Sequence, residues 1–359
     1  MAGNGTEPRR RALLEDVAQR AGVSRSTASR ALADDPRISL ATRASVRRAA
    51  SELRYIPNVG ARSLRVRRTR TFGLLLPDLG DPVHGQVASA FEQAAGEDGF
   101  EVLFVSGYAD PDRERLAMKT FAERGMDAVA IFSGTVPFAE ARERLDPTHL
   151  VLAQPEDQAG RDHPDQPGTI HIDDPAGIHA AVDHLVDQGY RRIAYVESGA
   201  PGARASNRRR RDSCAAALER HGLGALQRFE APDNAWRAAG PLAEAVRAAL
   251  PEAVVCYDDK LALALMDELR RRGVECPDDL GIVGFDGIPF AQLSNPRLTT
   301  VAAPSAEVGR LAAAMLVTAL ADGDLPGGVV LPVGLVVGES TQPLHAAADR
   351  LPSRVAAHG

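Results

Sequence analysis

The hydrophobic rhythm of the chain changes character once, near residue 70. Before that point apolar residues recur three and four apart, the spacing that puts them on one face of a helix. Leu14, Val17, Ala18 and Ala21 share one side of a first short helix. Gly22 follows, and glycine is the residue best able to adopt the left-handed backbone that ends a helix. Ser24 can then cap a second helix by accepting from a free backbone N–H. At about 100° per residue, Arg25, Ser26, Ser29 and Arg30 form the front of that helix. Ala28, Ala31 and Leu32 form its back. A third helix is predicted over about 40–53, capped by Ser39, with Val46, Ala49, Ala50 and Leu53 facing inward.

From Thr71 onward, short apolar runs alternate with amphipathic stretches. The predicted strands are "TFGLLLP", "EVLFVS", "DAVAIF", "HLVLA", "GTIHID", "RIAYVE", "AVVCY" and "GIVGFD". Helices are predicted over 83–97, 113–124, 176–188, 210–221, 237–250 and 260–272. Such alternation means βαβ units, in which parallel sheets carry helices on both faces. Eight strands or more exceed a comfortable single open sheet, so more than one sheet is expected.

Composition adds limits. The 359 residues are 44 % hydrophobic and 25 % charged, an ordinary balance that supplies a sizeable core. No apolar run approaches the ~18 residues a membrane span needs. Glu15 and Asp16 interrupt the only apolar start that could serve as an export signal, so a cytoplasmic protein is expected. Cys214, Cys256 and Cys276 are too far apart for a metal knuckle and read as buried free thiols. Charge divides the chain unevenly. Residues 1–70 hold 16 Arg and 6 acidic residues, +10, while the remainder carries 26 basic against 42 acidic, −16. A basic start on an acidic body suggests a nucleic-acid arm attached to a domain with another task. Arginine and hydroxyl side chains on one helix face are the groups that reach base edges in a major groove.

Apparent catalytic signals do not assemble. His179 and His184 are five apart and leave one helix face, unlike the four-residue spacing of a zinc helix. In the pairs Asp173–Asp174 and Asp258–Asp259, capping of a helix by the second member is expected rather than metal binding. Asn207 to Arg211, "NRRRR", reads as a solvated helix start. No phosphate loop, nucleophile elbow or dinucleotide fingerprint occurs. The expectation is therefore no enzyme, no cofactor and no metal.

The segment from Leu14 to Thr69 resembles the DNA-binding headpiece of the lactose/galactose/purine repressor family. Three elements carry the resemblance: the D-V-A-x-x-A-G-V-S-x-x-T-x-S-R run from Asp16, the T-R-x-x-V at Thr42, and the Y-x-P-N at Tyr55. It implies an all-α helix-turn-helix headpiece followed by an α/β body of two Rossmann-like, periplasmic-binding-protein-like subdomains. The implied division is a disordered start over 1–11, the DNA-binding domain over 12–59, a hinge helix and linker over 60–70, an effector-binding and dimerisation domain over 71–341, and a flexible tail over 342–359. Within the body, the first subdomain would take about 71–170 and 302–331, the second about 171–301 and 332–341. The chain would cross between them near His171, Val301 and Pro332.

By position, the resemblance implies that Arg25, Ser26 and Arg30 read base edges. Ser24, Thr27, Ser29 and Asn58 would hold phosphates, which set register without specifying sequence. "ARSLRV" would be a hinge helix entering the minor groove, with Arg62 beside the duplex and Leu64 as the wedge that opens a base step. In the body it implies effector contacts at Arg210 and Asp259, with Asp286 at a strand end facing the cleft and Trp236 near a position that stacks on sugars. The pattern departs from the family at Ala153–Gln154, Ser213, Cys214, "DPVHG" from Asp81, and Gly338. Each departure removes a charge or ring that sugar effectors use, which argues against a simple hexose. The expected protein is a homodimeric regulator, read as a repressor, that binds a pseudo-palindromic double-stranded operator under control of a small-molecule effector. An activator of the same fold, a solute-binding protein without a DNA role and an α/β enzyme fused to a DNA-binding arm are the alternatives.

Overall fold

A computed structural model describes residues 12–55, 68–132, 135–155, 165–200, 204–232 and 239–344. The chain divides into two units, Met1–Thr69 and Arg70–Gly359.

The first unit holds three helices: α1 (Leu14–Ala21), α2 (Arg25–Leu32) and α3 (Leu40–Glu52). Gly22 ends α1 at φ 68°. Ser24 and Ser39 cap α2 and α3, their hydroxyls accepting from Thr27 N and Thr42 N at 3.1 Å each. The core is built mainly from alanines: Val17, Ala18, Ala28, Ala31, Val46, Ala49 and Ala50 are buried, with Leu14, Leu32, Leu53 and Tyr55 packed around them. Small side chains let three short helices approach closely, and the larger apolar residues close the edges.

The second unit contains two six-stranded sheets. In chain order its elements are β1 (Thr71–Leu76), α4 (Pro82–Glu97), β2 (Glu101–Ser106), α5 (Pro111–Arg124), β3 (Ala128–Phe132), α6 (Phe138–Arg144), β4 (Leu150–Ala153), β5 (Thr169–Ile172), α7 (Asp174–Asp187), β6 (Ile193–Glu197), α8 (Arg204–Arg220), β7 (Gln227–Glu230), α9 (Gly240–Ala249), β8 (Ala253–Cys256), α10 (Asp259–Arg270), β9 (Gly281–Asp286), β10 (Thr299–Ala302), α11 (Ser305–Asp322), β11 (Val329–Leu331) and β12 (Gly334–Val336). The first sheet runs β11-β5-β4-β3-β1-β2, all parallel. The second runs β12-β10-β9-β8-β6-β7, parallel except that β12 pairs antiparallel with β10.

The eight predicted strands are present. Four more, β7, β10, β11 and β12, are three or four residues long and lack the run of four apolar residues that marks β4 and β8. Two helices, α6 and α11, have no counterpart among the predicted ones. Of these, α11 buries Val308, Ala312, Ala313, Met315, Leu316 and Ala319. Its apolar surface wraps more than one face, so no narrow stripe marks it. Helix α8 begins at Arg204, six residues before the predicted start.

Strand β5 lies in the first sheet, and α7 after it packs its Ile178, Ala181 and Leu185 into the core of the second lobe. Strand β10 lies in the second sheet, and α11 after it returns to the core of the first. The last exchange falls between β11 and β12. Three chain passages therefore join the lobes, and the carboxyl ends of their strands are where ligands bind in folds of this type.

Candidate nucleic-acid interface and ligand cleft

In the first unit the back of α2 is closed and its front is open. Ala28 and Ala31 are fully buried against α1 and α3. Ser24, Arg25, Ser26 and Arg30 are exposed, and Thr27 and Ser29 half-buried. Arg30 folds back on its own helix, donating from Nε to Ser26 O and from Nη2 to Ser26 Oγ at 3.3 Å each. Arg25 reaches Glu15 at 4.0 Å, an exposed ion pair of little worth that a stronger anion displaces. Ser24 Oγ, besides capping the helix, lies 2.8 Å from Thr27 Oγ1 and 3.2 Å from Ser26 Oγ. The arrangement is a preformed row of hydroxyl and guanidinium donors on a rigid helix. Asn58, Arg62 and Leu64 lie outside the described residues.

In the second unit, the strand ends of the second lobe hold a buried ionic cluster. Asp174, at the first position of α7 and 0 % exposed, accepts from Arg210 Nε at 2.8 Å and from Arg209 Nε and Nη2 at 3.2 and 3.1 Å. Arg210 is 4 % exposed. It also donates from Nη1 to Tyr257 O at 2.6 Å, and its Nη2 lies 3.5 Å from Asp286 Oδ1. Its guanidinium stacks 3.6 Å above the centroid of the Phe285 ring. Burial opposes the charge on Arg210, yet Asp174 and Asp286 hold its pKa above the ordinary value. Burial pushes the Asp286 carboxyl well up; Arg210 opposes that push, and Asp258, Asp259 and Asp81 add to it.

Three sets of sequence expectations meet this geometry. First, Asp259 does not present its carboxylate to the cleft. It is 0 % exposed, accepting from Ile288 N at 2.8 Å and Thr300 Oγ1 at 2.5 Å. It ties α10 to β10 and to the loop after β9, because the missing side chain of Gly284 opens space beneath it: a Cβ there would stand 2.1 Å from Asp259 Oδ1. Arg210, expected to grip a ligand bidentately, donates to Asp174 and to Tyr257 O. Second, the first and not the second aspartate of each pair caps its helix, Asp173 accepting from Ala176 N at 3.0 Å and Asp258 from Leu261 N at 2.7 Å. The second member sits one residue into the helix, where its side chain turns inward. Third, the "NRRRR" start is not solvated, since Asn207 and Arg210 are buried and Arg209 is paired. Trp236 lies outside the described residues.

The two lobes touch where the N-termini of α4 and α10 meet. The Lys260 ammonium of α10 bonds the carboxylate of Asp81, the cap of α4, and stands 3.7 Å from Asp258. Val83 packs against the cores of both lobes. His84 sits behind it, Nδ1 2.7 Å from Asp78 O and ring edge-on to Phe132 at 5.4 Å; burial lowers its pKa. Asp174, Tyr257, Lys260 and Asp81 were not among the expected site residues. Their one sequence signal is adjacency to strand ends, which many solvent-facing residues share. Gln154, at a noted departure, accepts from Ile172 N at 3.0 Å through its Oε1. Among the described residues no group of three or more His, Cys, Asp or Glu is placed to hold a metal ion, and no helix is long and apolar enough to cross a membrane.

Comparison with known proteins agrees with both halves of the architecture. Residues 13–58 match the model of bacterial regulatory proteins of the lacI family, and residues 182–341 match the periplasmic binding protein-like domain. The chain is 30 % identical over 312 residues to the HTH-type transcriptional repressor CytR of Escherichia coli K12, spanning 85 % of this chain and 89 % of that protein. It is 31 % identical over 352 residues to the HTH-type transcriptional regulator DegA of Bacillus subtilis strain 168, spanning 92 % and 98 %. The crystal structure of the Lac repressor dimer bound to operator and an anti-inducer matches with a TM-score of 0.80 over 93 % of this chain and 100 % of that one, at 23 % identity. The three-helix unit with an open basic face, the two-lobed body that follows it in the chain and relatives spanning nearly the whole length lead to one assignment: the chain belongs to the lacI family of bacterial regulatory proteins.

Proposed function

We propose that this protein is a cytoplasmic, non-enzymatic transcriptional repressor that grips a pseudo-palindromic operator as a homodimer and is released or recruited by a small molecule in its interlobe cleft. The observation that carries the reading is the front of α2, where Arg25, Ser26 and Arg30 stand exposed on a helix whose back is sealed by Ala28 and Ala31. Arg25, Ser26 and Arg30 read base edges, while Ser24, Thr27, Ser29 and Asn58 hold phosphates. Arg62 and Leu64, in the hinge segment 60–70, act at the minor groove, with Leu64 opening the central base step. The repressor named among the relatives and the operator-bound dimer among the similar structures support this reading.

In the body, over 71–341, Asp286 and Trp236 contact the effector. Arg210 and Asp259 position the walls that hold it. Effector binding shifts the population between two lobe arrangements, which requires different affinity for each.

Gel-shift titration of the full-length protein after selection from random-sequence DNA tests the reading. A tight, sequence-dependent shift with two related half-sites is expected, its affinity falling steeply with salt. Binding no tighter to any duplex than to bulk competitor, with and without metabolite extract, overturns it. Leu64→Ala weakens operator binding and spares dimerisation; unchanged operator affinity refutes the hinge role.

A further inference from the structure

The two units are joined by the chain itself, which enters the second unit at Arg70. That residue is exposed, yet it is held from several sides. Its backbone N–H donates to Asp127 Oδ2 at 2.9 Å, and its carbonyl accepts from Glu101 N at 2.9 Å. Its guanidinium donates from Nε to Gly99 O at 3.1 Å and from Nη2 to Asp98 O at 3.0 Å. The same group lies 5.2 Å from the centroid of the Phe100 ring, which stacks on Phe72 of β1 at 4.2 Å. Arg70 also takes a left-handed backbone, φ 50°. A residue with a side chain keeps that conformation only where its surroundings impose it.

Asp98 and Gly99 follow directly on α4. Carbonyl groups at a helix C-terminus carry partial negative charge and favour a cation beside them, so the guanidinium grips the end of that helix. At about 1.5 Å per residue, the 16 residues of α4 span about 24 Å from there to the lobe junction. At the far end its cap, Asp81, bonds the Lys260 ammonium of the second lobe. Between its ends α4 is bedded in the first lobe. Val87 and Phe91 are buried in the core, and Gly309 of α11 lies so close that a Cβ there would stand 2.3 Å from Val87 O. One well-packed helix therefore meets the second lobe at its start and the chain entry at its end.

We propose that Arg70 is a positioning residue for operator binding, clamping the chain entry to the C-terminal end of α4. Lobe arrangement, fixed by Asp81 and Lys260 at the other end of the helix, then sets where the chain leaves the body toward the DNA-reading helices. Arg70 touches neither DNA nor effector in this role; it acts through the segment it anchors. The proposal rests on the reading of the protein as an operator-binding regulator. A merely structural Arg70 behaves differently, since loss of its surface bonds would leave the effect of Lys260 on operator binding untouched.

A double-mutant cycle on operator affinity tests it, using the full-length protein without effector and the duplex that the parent selects from random sequence. The variants are Arg70→Asn, Lys260→Gln and the two combined. Asparagine tolerates the left-handed backbone, so Arg70→Asn removes the guanidinium contacts alone. It is expected to weaken operator binding about fivefold, with a melting temperature within about 3 °C of the parent and unchanged affinity for bulk duplex DNA. Lys260→Gln, which unties the lobes, should shift operator affinity about fivefold in the parent and less than about twofold in the Arg70→Asn background. Distant sites without shared partners ordinarily act independently to within about twofold, so that loss of effect is the signature of coupling. Arg70→Lys keeps the charge and loses the fork; it should couple to an intermediate degree, and it repeats the cycle should Arg70→Asn melt early. Asp81→Asn replaces Lys260→Gln on the same terms. Single effects that multiply to within about twofold overturn the proposal, as does unchanged operator affinity in Arg70→Asn or an equal loss on bulk DNA. A parent that selects no duplex sinks the regulator reading, whereas a parent that selects one and shows independent effects sinks this proposal alone.

Discussion

Asp259 gives the sharpest test of the structure against the resemblance. Its carboxyl is fully enclosed, and burial lifts its pKa from 3.8 to about 7; the bonds from Thr300 and Ile288 pull against that rise, and Asp258 adds to it. The folded protein therefore holds this proton more tightly than the unfolded chain. Stability from the group is fully present below about pH 4, declines as pH rises, and is lost above about pH 7. At about 1.4 kcal/mol per unit, three units amount to roughly 4 kcal/mol, an upper bound in order of magnitude. Asp259→Asn cannot ionise. Its amide oxygen can accept from Ile288 N and its amide nitrogen can donate to the Thr300 hydroxyl, so the shape is retained.

Denaturant unfolding of the full-length variant and parent, followed by circular dichroism, should show near equality at or below about pH 4 and a gap of roughly 1.5 kcal/mol already at about pH 5. At about pH 8 the asparagine protein should be the more stable by up to a few kcal/mol. Asp259→Ala, which strands both donors, should lose roughly 3 kcal/mol throughout. Parallel stability–pH curves for parent and Asp259→Asn would mean that the group is ionised in the folded protein, and the burial argument would be wrong. Loss of effector binding in a fully stable Asp259→Asn would restore it to the ligand contacts.

Arg210→Met should lower the melting temperature of the ligand-free protein by the equivalent of about 3 kcal/mol, because Asp174 would keep Arg209 alone as its buried partner; an unchanged melt would assign Arg210 to ligand binding only. Gly22→Ala should destabilise the three-helix unit by about 1–2 kcal/mol, purely through the backbone, since φ is 68° and no atom lies within 4 Å of the added Cβ; equal DNA affinity and equal stability would refute that. Arg30→Ala should flatten base preference in selected-site competition by about 1–3 kcal/mol and change nonspecific affinity far less. A uniform loss across all sequences would make Arg30 a phosphate contact instead.

The reading helix was legible because everything that defines it is local. A glycine stop, a serine cap and a 3.6-residue spacing of alanines act within one or two turns, so the identity of α2 and the exposure of Arg25 and Arg30 follow from about fifteen consecutive residues. The long strands were legible for the same reason: five or six consecutive apolar residues bounded by polar ones have few other uses. The cleft was not. Asp259 and Arg210 carry side chains suited to a ligand, and a resemblance by position could place them near one. Whether such a group faces the cleft or the interior depends on Gly284, Thr300 and Asp174, which are 25, 41 and 36 residues away in the chain. The same holds for Lys260 and Asp81, which are 179 residues apart and meet across two lobes. Local sequence determines which elements form and which face each of them buries. Only the folded arrangement decides which charges neutralise one another, because that depends on distances in space that no short stretch of chain contains.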